Sequence, residues 1–228
     1  HLQLNYLRRN YRELVFTSTG IIPFGDIKRG DWLLRDKQWE DSLRFCHQWL
    51  NGEEYFTLQT SGSTGPPKEI RVHREQMRIS ATATKKYLGL RVGCSLLCNL
   101  NTEMVAGKMM LVRAMEWKAQ LLLSTPSSVI TSPIRKLEID FGAVVPMQLQ
   151  ASLEDPEGVK ILHRISHLLV GGAPTPPSLR DKIRSLKGKV YQTFGMTETV
   201  SHIAMADLKA PGPLVYKTLP GVKTSLST

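Results

Sequence analysis

Apolar and polar positions alternate along the chain in short blocks, and most blocks fit one of two periods. Trp32, Leu33, Trp39, Leu43, Cys46, Trp49 and Leu50 recur close to the helical repeat and predict a helix over Asp31 to Leu50, ended by Asn51-Gly52. Upstream, Ile21 to Gly25 reads as a short apolar segment ending in a turn. Tyr55 to Gln59 predicts a strand, and Glu69 to Val72 alternates like the return strand of a hairpin. His73 to Leu88 predicts a helix with Met77, Ala81, Thr84 and Leu88 on one face and Gly89 just beyond its end. Ser95 to Leu100 reads as a buried strand and Ala106 to Trp117 as a helix. Gln120 to Ser124 and Val129 to Ile130 read as strands, broken by Thr125-Pro126.

The second half keeps this rhythm. Phe141 to Val145 predicts a strand, Pro146 to Leu153 a helix, and Asp155 to Gly158 a loop. Ile165 to Val170 is a strand running into Gly171-Gly172-Ala173-Pro174, Pro177 to Leu186 a helix, and Lys189 to Phe194 a strand running into Gly195-Met196-Thr197-Glu198-Thr199. Alternating strand and helix predicts an α/β fold, with a mostly parallel sheet and helices packed on its faces. Ligands of such sheets bind at the carboxyl ends of the strands. Pro211 to Thr228 holds prolines, glycines and short apolar pieces without a clear element.

Chemistry concentrates in three stretches that follow predicted strands. The first is Thr60-Ser61-Gly62-Ser63-Thr64-Gly65-Pro66-Pro67-Lys68. Its glycines let backbone N–H groups approach a ligand closely, its hydroxyls can donate to phosphate oxygens, and Lys68 adds a mobile cation. This composition suits a loop that holds nucleotide phosphates, although Ser/Gly/Pro stretches are most often plain solvated loops. A Walker-type loop fails on spacing, because Gly62 and Gly65 are too close and Pro66-Pro67 separate Gly65 from Lys68. The second is Val190 to Thr199, where Glu198 lies between the hydroxyls of Thr197 and Thr199. A carboxylate so placed suits Mg²⁺, which takes one or two protein oxygens and completes its shell with water and phosphate. Capping of a helix by Thr197-Glu198 is the plainer account. The third, Gly171 to Pro174, is by itself an ordinary turn composition.

Charge and cysteine usage narrow the setting. Thirty Lys+Arg against twenty Asp+Glu leave a net charge of +10, which raises the question of nucleic acid. The cations are spread along the chain without interleaved aromatics, so a basic solvated surface that attracts anionic substrates is expected instead. Cys46, Cys94 and Cys98 are too few and too scattered for a disulfide framework, and reduced thiols point to the cytoplasm. No apolar run reaches the ~18 residues of a membrane span. His1 to Gly20 has no apolar signal region, and a chain starting at histidine is expected to lack its natural start.

The nine residues Thr60 to Lys68 resemble the phosphate-binding signature of adenylate-forming acyl-CoA synthetases. Phe194-Gly195-Met196-Thr197-Glu198 resembles the aromatic-Gly-Met-Thr-Glu signature of the same family, and Gly171 to Pro174 resembles its strand-end segment beside adenine and the acyl pocket. Three motifs in the family's order imply its large N-terminal domain, here 1–228 and incomplete. The resemblance implies that Thr60, Ser61, Gly62, Ser63, Thr64, Gly65 and Lys68 bind the phosphates of ATP. It also implies that Gly172, Ala173, Pro174, Phe194, Gly195, Met196 and Thr197 contact the nucleotide. Phe194 would stack on adenine, Thr197 would meet the α-phosphate, and Glu198 would hold Mg²⁺; Lys68, Thr197 and Glu198 are the expected catalytic residues. Within the family the chain resembles the branch of o-succinylbenzoate–CoA ligases of menaquinone biosynthesis, on the stretch Gly195 to Ala204 and on Leu219-Pro220-Gly221-Val222.

Departures from the family pattern mark the acid pocket. Met104 stands where many relatives carry a histidine in a Pro-Leu-Phe-His-type segment, which puts that residue's gating role in doubt. Lys108 and Arg113 follow on the next helix and are candidates to pair with a substrate carboxylate, Lys108 first and Arg113 second, against the plainer reading of a solvated helix face. Gly171, Ser201 and His202 are further candidates at the acyl pocket; a lone histidine is commonly structural. The ribose-binding Asp, the hinge and the small lid domain with its catalytic lysine are expected beyond Thr228, so this piece alone is expected to be poorly active. The implied reaction joins a small carboxylic acid, ATP and coenzyme A, with no nucleic acid and no membrane segment. Another aryl or fatty acyl-adenylating enzyme and a basic nucleic-acid-binding module remain the rival readings.

Overall fold

The computed structural model describes residues 13–32, 37–59 and 69–225. Strands in chain order are β1 (Leu14–Phe16), β2 (Ile21–Pro23), β3 (Tyr55–Gln59), β4 (Glu69–His73), β5 (Ser95–Cys98), β6 (Gln120–Leu123), β7 (Ile139–Val144), β8 (Ile165–Val170), β9 (Lys189–Gly195), β10 (His202–Asp207) and β11 (Lys217–Thr218). Helices are α1 (Phe24–Arg29), α2 (Glu40–Leu50), α3 (Arg74–Leu88), α4 (Val105–Glu116), α5 (Pro146–Glu154), α6 (Pro156–Leu162) and α7 (Pro177–Ile183). Nine strands form one sheet in the order β11-β10-β9-β8-β7-β5-β6-β1-β2, and β3 pairs with β4 in a separate hairpin. From β9 across to β1 every pairing is parallel; β2, β10 and β11 add antiparallel edges. The expected α/β architecture with a mostly parallel sheet is therefore present.

Period-two alternation splits the sheet's side chains between two cores. Leu96, Cys98, Leu121, Leu123, Phe141 and Leu169 join the cluster under α2, α3 and α4. The alternate positions Leu97, Leu122, Val144, Leu168 and Val170 join the one that contains Leu149 of α5, Ile161 of α6 and Leu179 of α7. Strands covered on both faces need apolar residues at successive positions, as the fully buried runs of β5 and β6 show.

α3 is closed at both ends by its own sequence. The His73 ring accepts from the Glu75 N–H while the Gln76 side chain accepts from the His73 N–H, and Gly89 leaves the last turn at φ 65°. α4 is buried from Met109 to Met115, with Trp117 just past its end donating to the Ala81 carbonyl of α3 at 3.1 Å. Trp117 also meets Phe141 edge-on at 5.2 Å between ring centroids, which locks α3, α4 and β7 together.

Four expectations need correction. The helix expected over Asp31 to Leu50 is α-helical only from Glu40, after a 3-10 turn at Lys37–Trp39. Asp31 instead bonds back to the Asp26 carbonyl around Gly30, whose φ of 88° ends α1. The turn expected at Gly25 is the first turn of α1. Val129–Ile130 forms no strand, since the Ile130 N–H is taken by the Ser152 hydroxyl at 2.9 Å. The loop expected at Asp155 to Gly158 is the start of α6: Asp155 accepts from the Gly158 N–H at 2.7 Å, and Pro156 occupies the first helical position. β10, directly after the Thr197-Glu198 motif, is a strand that the apolar pattern does not reveal.

Burial raises the thiols of Cys46, Cys94 and Cys98 to about 12, and all three are free. The native protein is expected to leave them unreactive toward an aromatic disulfide reagent at pH 8 and to expose all three in denaturant; fast reaction without denaturant would contradict this packing. A Cβ on Gly107 would sit 2.1 Å from the Asn101 carbonyl oxygen, whereas one on Gly25 meets only the Arg29 side chain at 3.5 Å. Gly107→Ala is therefore expected to cost about 1–3 kcal/mol, read as a lowered urea midpoint, with Gly25→Ala near neutral.

Candidate active site

The loop residues Thr60, Ser61, Gly62, Ser63, Thr64, Gly65 and Lys68 lie outside the described residues, but both flanks are placed. β3 and β4 pair antiparallel through Gln59 and Glu69, so the loop closes this hairpin. The hairpin is tied to α4 by Lys108, whose Nζ donates to the Thr57 carbonyl at 3.1 Å. Lys108 is half-buried, and this burial lowers its pKa against the raising influence of Glu103 and Glu69. Lys108 thus braces the strand that leads into the loop. Met104 is the residue immediately before α4, in extended conformation.

At the carboxyl end of β8, Gly171 continues the pairing by donating to Val144 at 3.0 Å, and Gly172 turns the chain at φ 83°. Gly172, Ala173 and Pro174 are exposed. The segment is clasped from β9 by Gln192. Its Oε1 accepts from the Thr175 N–H at 2.8 Å and the Thr175 hydroxyl at 2.6 Å, while its Nε2 donates to Val170 and Ala173 at 3.1 Å each. Gln192 was not among the expected site residues. A glutamine inside a strand next to a Gly-Met-Thr-Glu motif was the available signal.

At the end of β9 the expected nucleotide-binding residues come together. Phe194 and Met196 are 54% and 56% exposed, unusual for large apolar side chains, and Phe194 meets Tyr216 edge-on at 5.8 Å. Gly195 is a steric necessity, since a Cβ there would lie 2.4 Å from the His202 Cα on β10. Thr197–Thr199 form a 3-10 turn in which Thr199 Oγ1 accepts from the Met196 N–H at 3.0 Å. Val200 follows at φ 67° and ψ −39°, a strained backbone for a β-branched residue. Glu198 in this turn is exposed and Thr197 partly so, and Thr199 Oγ1 also donates to the Ser201 carbonyl at 2.7 Å.

Arg113 departs from the solvated-face reading. It is only 3% exposed, with its guanidinium 5.7 Å from the Phe141 ring centroid and Nη2 donating to the Ser201 hydroxyl at 3.0 Å. Burial lowers its pKa to about 10, which leaves it charged at neutral pH. No carboxylate pairs with it among the described residues, and its Nε–H has no partner there. His202 is buried beside it, with ring nitrogens 3.1 Å from Thr84 Oγ1 and 3.3 Å from Ser201 Oγ. Burial first, and then the Arg113 charge, push the His202 pKa well below the usual histidine value, so the ring is neutral.

Comparison with known proteins bears on this arrangement. The model of the AMP-binding enzyme family matches residues 13–225. A Mycobacterium tuberculosis protein named "Probable 2-succinylbenzoate--CoA ligase" is 31% identical over 165 residues, 69% of this chain and 42% of that protein. A Bacillus subtilis 2-succinylbenzoate–CoA ligase is 28% identical over 152 residues, 64% of this chain and 30% of that protein. The chain thus spans less than half the length of these relatives. Among solved structures, an acyl-CoA synthetase (AMP-forming)/AMP-acid ligase II-like protein from Dyadobacter fermentans superposes with a TM-score of 0.77 at 41% identity, over 85% of this chain and 55% of that one. The o-succinylbenzoate coenzyme A synthetase of Bacillus subtilis, in complex with ATP and magnesium ion, gives a TM-score of 0.56 at 25% identity, over 67% of this chain and 32% of that one. The family match runs through both strand-end motifs and the buried Arg113, and the chain belongs to the AMP-binding enzyme family.

Proposed function

We propose that residues 1–228 form the ATP- and acid-binding part of an AMP-forming acid–CoA ligase whose acid is o-succinylbenzoate. The observation that carries the choice of acid is Arg113, a buried cation without a carboxylate partner among the described residues, joined through Ser201 to the turn that bears Thr197 and Glu198. Holding a guanidinium in an apolar core is costly unless a counter-charge arrives. A substrate with a second carboxylate supplies one. The names of the Mycobacterium tuberculosis and Bacillus subtilis relatives support the same acid.

Two displacements make up the reaction. A carboxylate oxygen of the acid attacks the α-phosphorus of ATP and pyrophosphate leaves; the thiol of coenzyme A then attacks the acyl carbon and AMP leaves. The protein's share of the first step is orientation and neutralisation of charge. Thr197 offers a hydroxyl at the strand end, where the α-phosphate would sit, and the exposed Phe194 ring offers a face to adenine. Lys68 and the hydroxyls of Thr60, Ser61, Ser63 and Thr64 serve the outer phosphates. Glu198 is exposed and makes no ion pair or hydrogen bond with a described residue, and no three His, Cys, Asp or Glu side chains cluster among those residues. One free carboxylate beside a phosphate site fits Mg²⁺, which binds mainly through substrate phosphates and water. Bound there, Mg²⁺ would neutralise phosphate charge. The three free thiols support placing the protein in the cytoplasm.

Glu198→Gln, in the protein made from its complete reading frame, is expected to reduce ATP–pyrophosphate exchange at least about tenfold, a loss of ~1.4 kcal/mol of transition-state stabilisation, with the thermal midpoint unchanged. Unaltered exchange and Mg²⁺ dependence would remove Glu198 from the site. Arg113→Met is expected to lower kcat/KM for o-succinylbenzoate about 10- to 100-fold while sparing 4-oxo-4-phenylbutanoate, which lacks the ring carboxylate. Lys108→Ala is expected to slow both acids alike, because Lys108 braces the hairpin. Equal losses on the two acids in Arg113→Met would show that Arg113 does not read the second carboxylate.

A further inference from the structure

Four side chains from three elements form one hydrogen-bonded chain behind the acid pocket. It runs from Arg113 on α4 to Ser201 and His202, at the start of β10, and on to Thr84 and the Ser80 carbonyl on α3. Its direction follows from counting protons. The Thr84 hydroxyl has one hydrogen and donates it to the Ser80 carbonyl at 3.0 Å, so toward His202 it can only accept. His202 Nε2, 3.1 Å away, must therefore carry a hydrogen. In a neutral imidazole Nδ1 then bears a lone pair, and the Ser201 hydroxyl 3.3 Å from it must donate. That leaves the Ser201 oxygen lone pairs facing Arg113, whose Nη2–H they accept at 3.0 Å. Reversing both His202 links would take the Thr84 hydrogen from the Ser80 carbonyl and set Nδ1–H to compete with Arg113 for the Ser201 oxygen, and charging the ring would put a second cation beside Arg113.

We propose that Thr84 and His202 are positioning residues for substrate selection: by fixing the imidazole tautomer, Thr84 keeps a competing Nδ1–H off the Ser201 oxygen, leaves that oxygen to Arg113 and so aims the guanidinium at the second carboxylate of the acid. The inference rests on the reading of Arg113 given above. It adds that selectivity depends on a threonine hydroxyl which touches neither substrate nor Arg113. Thr84 lies on the opposite side of His202 from the guanidinium, and its helix is closed at both ends by its own residues, which gives the chain a fixed anchor.

The test uses a shape-matched pair, Thr84→Val and Thr84→Ser, in the protein from its complete reading frame. Thr84→Val is expected to reduce the preference for o-succinylbenzoate over 4-oxo-4-phenylbutanoate by about 3- to 10-fold, and Thr84→Ser to retain it. Imidazole ¹⁵N spectra at neutral pH should show His202 as the Nε2–H tautomer in the parent and Thr84→Ser proteins, with that population lost in Thr84→Val. An unchanged preference in Thr84→Val would overturn the inference, as would an equal fall on both acids or a parent protein in the Nδ1–H tautomer. Arg113→Met separates the two levels. If it removes the preference while Thr84→Val keeps it, positioning through Thr84 fails alone. If it leaves the preference intact, the reading of Arg113 fails and this inference falls with it.

Discussion

Helices cover both faces of a parallel sheet here, and this constraint organises the molecule. Strands that are dry on both sides have no lateral room for polar side chains, so polar groups collect where the strands stop. Parallel pairing from β9 to β1 brings those stops to one edge. Gly171 to Pro174 and Phe194 to Glu198 are neighbours because β8 and β9 are adjacent and run in the same direction. The edge is then stiffened by groups whose purpose is structural: Gln192 clasps one strand end to the next, and Lys108 ties the hairpin to α4.

Features that depend on local chemistry were legible in the sequence. β8 was expected at Ile165 to Val170 and is found there, and the β3–β4 hairpin, the α3 face from Met77 to Leu88 and its Gly89 ending all follow from periodicity and capping. The errors fall where local signals compete. Asp155-Pro156-Glu157-Gly158 has the composition of a turn, yet aspartate followed by proline also begins a helix, and the side-chain bond to the Gly158 N–H decides between them. Trp32 and Trp39 fit one helical stripe, yet Trp32 lies in the turn just past Gly30 and Trp39 ends a 3-10 turn, and both are buried.

The candidate site divides the same way. The Thr197-Glu198 motif was legible from residue types, Gly171 to Pro174 only through the family resemblance, and the structure places the two side by side. Arg113 was misread because a cation on a helix is usually solvated; only tertiary packing against Phe141 and Ser201 reveals a guanidinium in the core. Thr84 counted simply as one position of an apolar stripe. Its hydroxyl acquires meaning only when β10, a strand the pattern did not show, brings His202 against it.

Gln192 carries a consequence for how this site can change over generations. Its amide spends two acceptor positions on Thr175 and two donors on Val170 and Ala173. Glutamate has the same outline and stands one nucleotide away in the genetic code, yet it offers no donors when ionised and would bury a charge. The substitution that looks least disruptive by shape, and is among the easiest to reach by chance, would therefore open the clasp between β8 and β9.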